Sequence, residues 1–507
     1  MSAALLFYAV LFVWLVALPA LVIWLFLAIL RAAPMLWQRF KELVGPLTSR
    51  LARPLVGPWR SSFPRSLAFL ASRFDPRAPW GLAATIALLG VGVGAFLVGD
   101  ILHHMAIAER GALVTLDARL HNSLPLVRSA PMTAFMLGAT ELGGPLFLWP
   151  LSIGLSALAF ARGKRRLAAT FLLAIASASI LSYAIKLLVS HPRPIDALIH
   201  ARESSFPSGH TLGAAVVYGL LAFAVMTSGI RSGLRRSLTL ALILLIVSIG
   251  ISRLYLGVHW PSDLLGSLAV ALSCLACLVF FLQYPGRITR LEALSSASST
   301  RIAGMVGWIS IAAGFLIAAV LFGRTRMAPV GPPAIAEALD LSHLREQLPE
   351  HLPARSEDLF GRGLDPIALL LVGTRDELGA AFQRAGWTPA ELPTPDRVVR
   401  EVFVTADRHA DPTGTAMPAY FANRPQTLTF GKASRAGTKA VTRVWQTAYC
   451  VAPECRILWV ATTSIDRGVF RRSEDLRPAP EGETQRTMVV ADLATAGAQE
   501  LGTLVLL

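Results

Sequence analysis

The sequence predicts an all-α polytopic membrane protein of about eight transmembrane helices, followed by a C-terminal soluble α+β domain. Three observations predict it. The first is composition: 507 residues, 54% hydrophobic and only 16% charged, with a mean hydropathy of +0.55, where soluble chains carry about 25% charged residues. The second is the recurrence of apolar stretches of about 20 residues, the length that crosses a bilayer core. The third is the placement of the net charge of +15: residues 1–323 hold 26 Lys+Arg against 10 Asp+Glu, and residues 324–507 hold 21 against 22. A basic excess confined to the apolar part orients spans in a membrane. It makes a membrane the expected partner and excludes nucleic acid.

The spans fall at about 4–30, 82–106, 131–161, 167–189, 209–229, 237–256, 261–283 and 302–323. The first does not read as a cleaved signal peptide, because it lacks a basic n-region and runs apolar past the small residues at Ala17–Ala20. The third is long enough to begin as a short surface helix. Basic residues gather in 31–80 (Arg31, Arg39, Lys41, Arg50, Arg53, Arg60, Arg65, Arg73, Arg77), in "RGKRR" at 162–166, in "RSGLRR" at 231–236, and in 284–301 (Arg287, Arg290, Arg301). With alternating spans these four stretches share one side, and the positive-inside bias makes it the cytoplasm. Both ends of the chain are then expected outside. The stretch "WRSSFPRSLAFLASRF" at 59–74 reads equally as an interfacial helix on the inner leaflet or as a solvated basic loop.

Against this background "ESSFPSGHT" at 203–211 is unexpected, a polar cluster at the mouth of a span. It opens on the same side as "KLLVSHPRP" at 186–194 and "SRLYLGVHWPSD" at 252–263. Lys186, Arg193, Ser208, His210, Arg253, His259 and Asp263 therefore lie at helix ends on one face of the bilayer, where charged groups are costly and usually functional. Their types suit a phosphate. Lys186, Arg193 and Arg253 are cations, two with forked donors. Ser208 and Gly209 start a helix, whose free N–H groups attract an anion, and Gly209 permits close approach. Two histidines can divide nucleophile and acid work near neutral pH, and Asp263, four residues after His259, can fix its tautomer. No cluster of Asp, Glu or Cys offers itself to Mg²⁺ or Zn²⁺. Taken singly, such residues are snorkelling anchors or helix-starting turns; their order and spacing, K-x6-R-P, then P-S-G-H, then S-R-x5-H-x3-D, carry the reading.

That set resembles the three-part signature of the PAP2 superfamily, the type 2 phosphatidic acid phosphatases, over Lys186–Pro194, Pro207–His210 and Ser252–Asp263. The resemblance covers roughly residues 80–285 and implies a six-helix core. It implies His259 as a nucleophile forming phosphohistidine, His210 as the acid protonating the leaving oxygen, and Asp263 as the group orienting His259. It implies Lys186, Arg193, Ser208, Gly209 and Arg253 as phosphoryl ligands, with no metal and no cofactor.

The rest of the chain is read as a separate domain. "MAPVGPPA" at 327–334 marks a linker. Thr374 and Glu377 form a capping-box pattern and Gly386 a stop, which predicts a helix over about 374–386. Strand-like runs follow at 398–405, 425–430, 440–450, 455–463 and 487–492. This part resembles the LssY-type C-terminal domain, from "RSEDLFGRGLDPIALLLVG" (355–373) to "TMVVADLATAG" (487–497), a resemblance that implies little about function. His343, His351 and His409 are scattered, with no catalytic cluster. Cys274 and Cys277 read as apolar filler in a span. Cys450 and Cys455 flank "VAPE" and can pair in an oxidising compartment or remain free thiols.

The expected organisation is 1–79 as an N-terminal transmembrane helix with a basic loop, 80–285 as the phosphatase-like core, 286–323 as an additional transmembrane helix, 324–342 as a Pro-rich linker, and 343–507 as the soluble domain. The expected function is a phosphatase of phospholipid or polyprenyl phosphates and diphosphates in a bacterial inner membrane, with its site and 343–507 on the periplasmic side, where 343–507 can dock a protein partner. The alternatives are a phosphotransferase using the same histidine and a non-catalytic lipid-phosphate-binding scaffold. Two intact histidines argue against the scaffold, since binding alone needs neither.

Overall fold

In lipid a chain satisfies its backbone only as helices or closed barrels, and among the described residues the apolar runs of residues 20–325 form helices. The computed structural model describes residues 20–29, 31–32, 64–73, 81–107, 111–199, 201, 203–283, 297–325, 337–340, 352–390, 418–433, 439–466 and 481–500. The rest of the first apolar stretch, most of the linker, the strand expected at 398–405, and His343, His351 and His409 lie outside these residues. By contacts the described chain falls into two compact units: Ser129–Ala328 with the described part of Trp14–Ala106, and Ile107–Arg128 with the described part of Pro329–Leu507.

The membrane unit begins with α1 (Ala20–Ile29), short and apolar. The Arg-rich stretch contains a helix, α2 (Pro64–Arg73), amphipathic and exposed along its Arg65 and Phe69 positions. Six helices are long and apolar enough to span: α3 (Leu82–Ile107), α7 (Arg165–Val189), α8 (Gly209–Met226), α9 (Ser232–Tyr255), α10 (Pro261–Gln283) and α11 (Ala297–Arg324). The stretch expected as one span at 131–161 is instead two helices, α5 (Ala130–Glu141) and α6 (Pro145–Ala161), bent by 50°. The cause is local. Gly143 and Gly144 are weak helix formers, and Pro145 lacks the N–H that a continuous helix would use. A second adjustment concerns "RSGLRR" at 231–236, which forms the first turns of α9 rather than a turn of its own.

α8 is the hub: 72% of its apolar window is buried, against 17% for α7 and α11 and 22% for α3. Its neighbours bury Phe147, Phe171, Ile246, Ile249 and Leu275 against Leu212, Val216 and Leu220. α11 packs on α6 where Gly154 and Gly307 meet; a Cβ at either would lie within 3.0 Å of the other's carbonyl oxygen. Such close backbone approach replaces the hydrophobic drive that lipid does not supply.

In the other unit, an antiparallel sheet runs β4 (Leu369–Val372), β10 (Arg456–Asp466), β9 (Lys439–Val451), β8 (Leu428–Ala433), β5 (Thr388–Pro389), with β1 (Glu337–Leu339) parallel to β9. A smaller sheet runs β3 (Gly363–Pro366), β2 (Arg355–Glu357), β6 (Tyr420–Phe421), β7 (Arg424–Pro425). Helix α12 (Arg375–Arg384) carries the expected capping box, and Gly386 ends its turn at φ +79°. The run at 487–492 is not a strand but part of helix α13 (Glu481–Thr495). Gln485, Val489 and Leu493 recur every fourth residue and are buried, a helical period that outweighs the two adjacent valines. Val489 and Leu493 join Phe382, Trp387, Phe430 and Trp459 in one cluster. Cys450 and Cys455 are joined by a disulfide with Cα atoms 4.8 Å apart.

This unit also contains helix α4 (Ala112–Ser123), from the connection between α3 and α5. Arg119, almost wholly buried, donates to the Asp358 carbonyl at 2.6 Å and Asn423 Oδ1 at 3.0 Å and pairs with Glu357. Ser123 and Tyr420 share a hydrogen bond of 2.7 Å between hydroxyls. The unit therefore extends beyond the C-terminal part of the chain.

Candidate active site

The polar residues at the span ends converge within the membrane unit. His259 lies in the short connection between α9 and α10 and is buried. Its Nδ1 is 3.2 Å from Asp263 Oδ2, and its Nε2 is 3.3 Å from Arg193 Nη1. A guanidinium only donates, so Nε2 carries the lone pair and Nδ1 the proton that points at the carboxylate. Asp263, in the first turn of α10 and wholly buried, also accepts from the Trp260 backbone N–H at 2.8 Å and from the Ser205 hydroxyl. Burial pushes the His259 pKa down to about 4, against the upward pull of the Asp263 hydrogen bond and with Arg253 adding to the fall. The imidazole is thus neutral near pH 7, with its lone pair exposed toward the cations.

Arg193, in the connection between α7 and α8, is fixed by backbone carbonyls: Nε donates to Glu203 at 2.6 Å, Nη1 to Val258 at 2.6 Å, and Nη2 to Ser204 at 3.3 Å. Lys186, in the last turn of α7, pairs with Glu203 Oε2 at 2.6 Å. Arg253, in the last turn of α9, donates from Nη1 to Thr140 Oγ1 at 2.7 Å, and its buried Nε has no hydrogen-bond partner among the described residues. Ser208 is the N-cap of α8 and accepts from Thr211. Behind it Gly209 admits Ser182, whose Oγ lies 3.1 Å from where a Cβ would stand. His210 follows in the first turn of α8, within electrostatic reach of Arg253, His259, Lys186 and Arg193. All eight residues expected from the sequence therefore lie at four helix ends or in the two connections that join them.

The structure adds residues that were not singled out. The break between α5 and α6 lies beside His210: a Cβ on Gly144 would stand 3.5 Å from His210 Nε2, and one on Gly143 would stand 3.4 Å from the His210 carbonyl. Thr140, just before that break, holds Arg253. Ser205 and His191 both reach Asp263, His191 Nδ1 at 3.5 Å from Oδ1. The quoted segments contained His191 and Ser205, but nothing in their spacing marked them; the "TELGGP" run at 140–145 was hidden inside an apolar span. Among the described residues no group of three or more His, Cys, Asp or Glu side chains gathers at metal-holding distance.

Over 179 residues the chain is 32% identical to phosphatidylglycerophosphatase B of Bacillus subtilis, covering 35% of this chain and 86% of that protein. The chain belongs to the PAP2 superfamily. The family match itself spans residues 167–290, so it contains all the candidate site residues from Lys186 to Asp263. A second family, LssY C-terminus, matches residues 349–501. Another relative, undecaprenyl-diphosphatase BcrC of Bacillus subtilis, is 33% identical over 99 residues, 18% of this chain and 46% of that protein. Among solved structures, the PAP2-type phosphatidylglycerolphosphate phosphatase of Bacillus subtilis aligns with a TM-score of 0.36 at 28% identity, covering 39% of this chain and 98% of that one.

Proposed function

We propose that this PAP2-type lipid phosphate phosphatase removes a phosphate from phosphatidic acid, phosphatidylglycerol phosphate or polyprenyl diphosphates of the undecaprenyl type, through a phosphohistidine on His259. The reading rests on one observation above the others. His259 places Nδ1 on the Asp263 carboxylate and Nε2 at Arg193, an arrangement satisfied by a proton on Nδ1 and a lone pair on Nε2. A phosphoryl group bound by Arg193, Lys186, Arg253 and the N-terminal N–H groups of α8 would bring its phosphorus to that lone pair. Nε2 then forms the P–N bond as the P–O bond to the lipid breaks, and His210 gives its proton to the departing oxygen. Water next attacks phosphorus, His210 takes a proton from it, the P–N bond breaks and inorganic phosphate leaves. Charge on the equatorial oxygens is stabilised by preplaced donors, and positioning supplies the rest.

The site would open on the outer face of a bacterial inner membrane. Three features support this side. Basic residues concentrate on the opposite face. By alternation of spans the α3–α5 connection and the chain after α11 share the side of the site, and they are packed in one compact unit. That unit also carries a disulfide, at home in an oxidising compartment. The test is trapping of radiolabelled phosphoenzyme from labelled lipid phosphate. Acid-labile, base-stable label that disappears in His259→Ala supports the reading, and turnover retained in His259→Ala refutes it. Transfer of the label to an added alcohol in place of water would identify a phosphotransferase.

A further inference from the structure

Asp263 Oδ2 is crowded, taking the Ser205 hydroxyl, the Trp260 N–H and His259 Nδ1. Oδ1 is different. It is buried and makes no hydrogen bond of ordinary length among the described residues. Facing it at 3.5 Å is His191 Nδ1, itself buried and equally without a closer partner. A carboxylate wholly out of water needs donors on both oxygens, and 3.5 Å exceeds the usual range by only a few tenths of an ångström. His191 is also well held. Its backbone N–H donates to Ser204 Oγ at 2.9 Å, and its carbonyl accepts from the Ser205 N–H at 2.8 Å. The segment that supplies His191 is thus stitched to the one that supplies Ser205.

We propose that His191 is a positioning residue for the phosphoryl transfer: its Nδ1–H binds Oδ1 of Asp263 and keeps Oδ2 aimed at His259. Without it the carboxylate is held from the Oδ2 side alone, by Ser205, Trp260 and His259, about a terminal torsion that is broad and two-fold. Oδ1, buried with no donor, would then compete for those same donors, and the hold of Oδ2 on His259 Nδ1 would weaken. His191 does not touch the phosphoryl group in this scheme; it acts through Asp263. The proposal rests on the reading of His259 as nucleophile.

Two amide variants separate the possibilities. The side-chain amide of His191→Asn stands where Nδ1 does, whereas that of His191→Gln stands nearer Nε2. His191→Asn should keep kcat within about threefold of the parent, while His191→Gln should lose roughly tenfold or more, the usual scale for the outer partner of an oriented group. KM should change little in either. In an Asp263→Asn background the difference between the two should vanish. Equal activity of the Asn and Gln variants, or a Gln defect that persists undiminished with Asp263→Asn, would overturn the proposal. If His191→Gln is not recovered folded, His191→Asn decides alone: a tenfold loss there also overturns it. Labelled phosphoenzyme in the parent, absent in His259→Ala, is measured alongside. Its failure counts against the nucleophile and not against His191.

Discussion

Glu203→Gln should tighten substrate binding without changing the chemical step. The Glu203 carboxylate sits 2.6 Å from the ammonium of Lys186, one of the groups proposed to hold phosphate. An arriving phosphoryl group must therefore displace it. Glu203 is 72% exposed, so the pair is screened by water, and exposed pairs are worth only about 0.2–1 kcal/mol. Removing that competition should lower KM by about 1.4- to 5-fold at low salt, with kcat unchanged because Glu203 is displaced before bonds break. Inhibition by inorganic phosphate should tighten by the same factor. Initial rates of phosphate release from short-chain phosphatidic acid in detergent provide the assay. The gap should shrink as ionic strength rises, since screening already weakens the pair. The Lys186 hydrogen bond holds Glu203 below the usual glutamate range, so the parent and variant should converge only when pH falls beneath that range. An unchanged or raised KM at low salt would show that Glu203 does not compete with the phosphate.

Further outcomes can be checked in parallel. His259→Ala should abolish turnover while lipid-phosphate binding stays measurable, and EDTA should have little effect; loss in EDTA restored by Mg²⁺ would refute the metal-free scheme. The imidazole of His259 should stay neutral as pH falls from 8 to 5 and titrate near about 4, read from histidine nitrogen resonances; a midpoint near 6.5 would mean the site is wetter than described. Arg119→Leu removes the donor to Glu357 and the Asp358 carbonyl and should destabilise its unit by about 1–3 kcal/mol, seen as a lower melting midpoint in tryptophan fluorescence; an unchanged midpoint would make α4 peripheral. A reporter fused after Leu507 should behave as periplasmic, and Cys450 and Cys455 should resist thiol labelling until reduced; a cytoplasmic signal would overturn the outer-face reading.

Much of the site could be read from the sequence because ionisable residues stand out against an apolar background. Lys186, Arg193, His210, Arg253, His259 and Asp263 sit where hydrophobicity stops, and alternation of spans gathers such ends on one side without any knowledge of packing. What escaped depends on contacts between helices. Thr140 and Gly144 are uncharged, and their proximity to Arg253 and His210 follows from the bend at Gly143–Gly144. His191 was in view beside Arg193, but only the rotation of Asp263 makes it relevant. In the soluble unit, "MVV" at 488–490 has strand-like composition, yet its burial follows a period of four. Helix α4 has no signal linking it to residues 357–423, because that pairing rests on the shape around one arginine.

The union of α4 with the C-terminal part has a consequence for how the chain is made. Arg119 and Glu357 are 238 residues apart, so at ordinary synthesis rates Arg119 waits roughly ten to fifty seconds for its partner. Every later span must be threaded through the bilayer in that interval. An odd error in the number of crossings would leave the two segments on opposite sides, where they could never meet, and Arg119 would remain a solvated cation on an unanchored helix. Pairing of Arg119 with Glu357 thus requires an even number of crossings between them, a condition that insertion must meet before this unit can close.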